Sequence, residues 1–132
     1  MKCFFMGLMA VAMIAAPAVA NARTPIEGRW KNGHMEIVIA PCGPVLCGTV
    51  VKASSQQQAK AERGSGTQLI GARLITNIRA TGDRSYSANV YLPSRDMNTS
   101  GTLRQTAPNR LYVRGCVMGF ICKSATWDRI SR

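Results

Sequence analysis

The chain predicts an all-β protein, a single small antiparallel up-and-down β-barrel of about eight strands. Three observations point there. Apolar residues recur with period two rather than 3.6, tight-turn residues separate the runs, and two closely spaced cysteine pairs sit where hairpins reverse. Closing a meander of short strands into a barrel removes its two exposed edges. A β-sandwich is the alternative arrangement of the same strands.

The N-terminus comes first. Lys2 gives a positive start, an apolar run follows to Ala16, and Ala18-Val19-Ala20 and Ala20-Asn21-Ala22 are both small-x-small patterns of the kind cut by signal peptidase. The apolar run, about 14 residues, is short for a bilayer whose hydrocarbon is roughly 30 Å thick. Residues 1–22 therefore read as a cleaved secretory signal, with cleavage after Ala20 or Ala22, and the mature chain has no transmembrane span. Cys3 precedes the apolar core and leaves with the signal. Residues 23–132 form one domain, small enough that cross-links matter. This places the protein in the periplasm or outside the cell.

Strands follow over 27–31, 34–40, 46–52, 69–79, 85–92, 99–105, 110–116 and 123–130. Met35, Ile37 and Ile39 alternate with polar neighbours, as do Val90 with Leu92 and Leu111 with Val113. In the fourth strand Leu74 and Ile78 belong to the apolar face, and Ile75 interrupts the alternation. These residues are bulky enough to fill an eight-stranded barrel, which is only just wide enough for side chains or one small ligand. Asn32-Gly33 suits a tight hairpin because both residues tolerate positive φ. Pro41 to Pro44, Thr81 to Asp83 and Ala107 to Asn109 mark the other reversals. The segment 53–68 has no apolar residue larger than alanine. Ser54 or Ser55 suits the start of a two-turn helix ending at Gly64, but such a helix has no face to bury, so a polar flexible loop is predicted. A flap over one barrel mouth is its functional reading.

Four cysteines remain after the signal is removed, and four allow three connectivities. Cys42 and Cys47 bracket four residues; Cys116 and Cys122 bracket five. Facing positions at the base of a hairpin lie about 5 Å apart at Cα, within disulfide reach, so local pairing is the simplest assignment. A four-cysteine zinc site is disfavoured by these wide spacings. A redox pair is disfavoured by the absence of Cys-x-x-Cys.

Trp30 opens the first strand, and Trp127 and Arg129 close the last. In an up-and-down barrel those strands are neighbours, so Arg129 is placed to pack flat on the Trp30 indole and lock the closure. Gly28-Arg29-Trp30, Pro41-Cys42-Gly43 with Leu46-Cys47-Gly48-Thr49, Leu111 to Cys116, and Ser124 to Ile130 together resemble the DUF2147 family of small exported bacterial proteins. The resemblance runs from about Pro25 to Ile130 and implies a lipocalin-like or streptavidin-like barrel. It brings no established activity, cofactor or catalytic residue. The chain departs from the family at Thr81 to Tyr86, a shortened form of a turn bearing aspartate and proline.

The residues for catalysis are sparse. His34 is the single histidine, beside a predicted turn, and the six carboxylates form no close pair. There is no Gly-x-Ser-x-Gly elbow and no phosphate-cradling glycine motif. The chain reads as a noncatalytic protein with no cofactor or metal: a binding or interaction module of the bacterial envelope. The alternatives are a carrier of a small apolar or amphipathic ligand in the barrel, and a periplasmic enzyme inhibitor. With 17 Lys and Arg against 6 Asp and Glu, its field favours an anionic envelope component, and another envelope protein is the other partner reading. Tyr91, Tyr112 and Arg114 face outward by alternation and form a candidate surface patch. Nucleic acid is disfavoured because the chain is exported.

Overall fold

The computed structural model describes residues 24–117 and 121–132; the predicted signal segment lies outside them. Eight strands follow in order: β1 (Gly28–Asn32), β2 (Met35–Pro41), β3 (Leu46–Lys52), β4 (Arg73–Gly82), β5 (Ser85–Leu92), β6 (Met97–Ala107), β7 (Arg110–Val117) and β8 (Ile121–Ser131). Among the described residues one helix, α1 (Ser55–Ser65), lies between β3 and β4. Each strand pairs antiparallel with the next, and β1 pairs with β8, so the sheet is a closed barrel. The fold is thus the predicted eight-stranded up-and-down barrel rather than a sandwich.

Alternation sorts the side chains. Ile37 and Ile39 on β2, Tyr86 and Ala88 on β5, Leu103 on β6, Leu111 and Val113 on β7 and Trp127 on β8 are buried in one core. Trp30, Val50, Leu103 and Leu111 have no accessible surface at all. A side chain with none borders no space that admits a water, whether open or enclosed, so the core is closely packed around these residues. Met35, Val90 and Leu92 are only half-buried, because they lie toward the end of the barrel where strands give way to turns.

Two predicted elements change. The fourth strand begins at Arg73 rather than residue 69. Within it Ile75 and Ile78 are both buried and Leu74 is half-buried, which reverses the expected phase at Ile75. The cause is a bulge: from Thr76 to Arg79, β4 advances three residues while β5 advances two, and Asn77 takes φ 53° to absorb the extra one. The second change is α1. Ser54 and Gln57 form a reciprocal capping box, and Gly66 ends the helix in the left-handed region. The predicted polar loop is therefore helical over most of its length, and it does find something to bury. Ala61 is 2 % exposed within the core cluster. A Cβ on Gly64 would lie 2.3 Å from the Ser94 carbonyl oxygen, so the helix backbone rests directly on the β5–β6 turn.

The antiparallel order assigns each connection to an end. The β1–β2 and β5–β6 turns, α1 and the Cys116–Cys122 pair share one end. The N-terminal segment from Thr24, the β2–β3 turn with Cys42–Cys47, and the β4–β5 and β6–β7 turns share the other.

Candidate functional site

The predicted closure residues occupy the end away from α1. Trp30 and Arg129 are cross-strand partners, and the Arg129 guanidinium carbon stands 4.4 Å from the Trp30 ring centroid. The indole Nε1 donates to the Ile26 carbonyl at 2.9 Å. Arg129 donates to the carbonyls of Glu27 at 2.6 Å, of Pro108 at 3.3 Å and of Pro25. One guanidinium therefore ties the N-terminal segment, the β6–β7 turn and the barrel seam. Burial, and secondarily Arg132, lowers its pKa from the ordinary arginine value, though it stays charged. Trp127 is buried on the inward face of β8. Gly28 is required here: its φ is 140°, and a Cβ would sit 2.7 Å from the Ser131 carbonyl oxygen.

Both cysteine pairs are joined locally, Cys42 to Cys47 and Cys116 to Cys122. Cys116 and Cys122 are also direct cross-strand partners in the β7–β8 ladder. Among the described residues no group of three His, Cys, Asp or Glu side chains is placed to hold a metal.

The outer face of β5–β8 is where charge gathers. Cross-strand registers make one row of Arg79, Ser87, Thr102, Arg114 and Ser124, and the adjacent row of Ser85, Arg104, Tyr112 and Thr126. Arg104 stands directly opposite Tyr112 and diagonal to both Arg110 and Arg114, which puts three guanidinium-bearing positions within about 7–8 Å steps around one phenol. Arg104, Tyr112 and Arg114 are exposed and alternate with buried Leu103, Leu111 and Val113. Asp128 pairs loosely with Arg110 at 3.7 Å; among the described residues Arg79, Arg104 and Arg114 make no ion pair. The predicted patch divides accordingly. Tyr112 and Arg114 belong to this face, whereas Tyr91 lies about 14 Å farther along the strand direction. Its hydroxyl donates to Asp96 at 2.6 Å near the α1 end.

Charge on the β1–β3 side is arranged differently. Glu36 is buried on the outer side of β2, held by Arg29 at 3.0 Å and Lys52 at 3.5 Å. Those two cations are occupied by it. His34 is exposed beside the β1–β2 turn, at the edge of a small cleft of about 140 Å³.

A larger cleft of about 750 Å³ opens at the Trp30 end, where β4 continues beyond the start of β3. Pro44, Val45, Leu46, Ile78 and Tyr86 line it, with Glu27 and Arg79 also on its wall. Burial, and then the Asp83 carboxylate, raises the pKa of the Tyr86 phenol above its ordinary value. The phenol is therefore a neutral wall residue at ordinary pH.

The family model described as "Uncharacterized protein conserved in bacteria (DUF2147)" matches residues 28–129. The chain belongs to the DUF2147 family. No curated relative matches it. Among solved structures, HP1028 of Helicobacter pylori, described as belonging to the lipocalin family, is similar over 80 % of this chain and 82 % of its own, with a TM-score of 0.60. Sequence identity is 13 %, so the likeness is one of fold: the DUF2147 chain is a lipocalin-like barrel. Sequence reasoning missed Arg104, the centre of the basic face. The signal was present in the alternation of 99–105 and 110–116, but pairing Arg104 with Tyr112 needs the β6–β7 register, and that depends on where the turn falls.

Proposed function

We propose that this DUF2147 chain is an exported, noncatalytic binding protein of the bacterial envelope that engages a macromolecular partner through the outside of its barrel. The packing of the core carries this reading: Trp30, Val50, Leu103 and Leu111 have no accessible surface, so no water-sized space reaches those side chains. The grouping of Arg104, Arg110 and Arg114 on one face supports it. The N-terminal apolar segment and the two disulfides support export. No described helix is long and apolar enough to cross a membrane. Cross-linking in intact cells, followed by purification and mass spectrometry, tests the proposal. A recurrent macromolecular partner cross-linked through β5–β8 is the expected result. Recovery of a small molecule with no macromolecule would overturn it.

A second reading rests on the cleft at the Trp30 end, which suits a small amphipathic ligand better than the barrel centre does. Ala80→Trp would fill that cleft. Loss of a co-purifying small molecule in this variant alone would favour the second reading.

A further inference from the structure

We infer that the outer face of β5–β8 is a binding platform for an acidic polysaccharide, a polymer that carries both hydroxyls and carboxylate or ester-anion groups. This rests on the outside-binding reading above and names the partner's chemistry. The two cross-strand rows contain only Arg, Ser, Thr and Tyr side chains. An extended sheet surface of that composition offers two kinds of contact at a regular pitch. Hydroxyls spaced by the strand separation of about 4.8 Å can exchange hydrogen bonds with successive sugar hydroxyls. The guanidiniums take the anions: Arg79 and Arg114 stand three strands apart in one row, and Arg104 stands diagonal to Arg114. Each guanidinium fork matches a carboxylate or an ester oxyanion in bidentate fashion.

The same face argues against the other polyanions. Docking on a lipid surface favours apolar side chains to insert among acyl chains, and the two rows contain no aliphatic residue. A single-stranded nucleic acid favours several exposed aromatics for stacking, and Tyr112 is the only aromatic in the two rows. Tyr112, 36 % exposed between Arg104 and the Thr126 position, is instead placed to lie under one sugar ring.

The test is a binding titration of the full mature chain with polygalacturonate, using neutral dextran, inorganic polyphosphate, phosphatidylglycerol vesicles and single-stranded DNA as comparison probes. Arg104→Glu with Arg114→Glu reverses the face. Lys60→Glu with Arg63→Glu on α1 makes the same change in net charge elsewhere. Circular dichroism and thermal melting establish that each variant is folded. The expected result is salt-sensitive binding of polygalacturonate but not dextran, weakened about tenfold or more by the face reversal and little by the α1 reversal. Thr102→Val and Thr126→Val, which keep shape and strand preference, are expected to weaken polygalacturonate binding while leaving polyphosphate binding unchanged. Equal loss from both charge reversals would overturn the site. Tighter binding of vesicles or DNA, or no effect of the threonine changes on polygalacturonate, would overturn the glycan assignment. If cross-linking still recovers a macromolecular partner on β5–β8, that failure leaves the outside-binding reading standing. A small molecule alone, with no anion bound by the folded protein, removes both.

Discussion

Among the described residues, no other charged side chain holds as many separate parts of this barrel together as Arg129. It covers the Trp30 indole and donates to three backbone carbonyls from two segments distant in sequence. Lysine keeps the charge but lacks the planar fork, so Arg129→Lys should cost about 1–3 kcal/mol of stability, measured by urea denaturation. Trp30→Ala, which opens a cavity at the same seam, should cost about 3–5 kcal/mol by the same measurement. Tyr86 makes a pH prediction. Its pKa is raised in the folded chain, so the unfolded chain loses its phenolic proton first as pH rises past the ordinary value of 10.0. Its contribution is thus fully present below that pH and is lost through the folded pKa. Tyr86→Phe should flatten the alkaline fall in stability, with tyrosinate absorbance locating the window. An unchanged alkaline slope would mean that the phenol is not shielded.

At the scale of elements, the strands and the helix differ in how far they are written locally. The strands carry their own period-two pattern, and most of the predicted segments coincide with observed ones to within a few residues. The exception, β4, teaches why. A pure alternation cannot hold both Ile75 and Ile78 on one face, and the Asn77 bulge that permits it is stabilised by pairing with β3 and β5. The helix α1 is the reverse case. Its start was legible only as a choice between Ser54 and Ser55, and its one buried residue is Ala61, which no hydrophobic pattern marks. Its place is set by contact with the β5–β6 turn at Gly64. Ser54→Ala should therefore cost about 1 kcal/mol and loosen the helix locally, visible as faster amide exchange over 55–65. Gly64→Ala should do more, since its Cβ would strike backbone rather than a yielding side chain. Equal exchange in both variants would sink that distinction.

For the whole molecule, the two disulfides clamp opposite ends of a barrel that is already closed by the β1–β8 ladder. The bonds join residues 5 and 6 apart in sequence, and loops this small remove little unfolded-state entropy. Each should contribute about 2 kcal/mol. Reduction should accordingly lower the melting temperature while leaving the far-ultraviolet strand signal in place at moderate temperature. Collapse of that signal on reduction would show the bonds to be essential to the barrel itself.

What the sequence alone determined are properties that travel with short segments: strand periodicity, turn residues, the spacing that lets each cysteine reach its neighbour, and an apolar N-terminal run. Each depends on a few adjacent side chains, so each can be read one segment at a time. The tertiary structure alone decided the β4 bulge, the seating of α1, the packing of the core and the grouping of Arg104 with Arg114. These depend on register between strands, and a shift of one residue turns every side chain to the other face. The outer basic face, the most informative surface for function, exists only once that register is set.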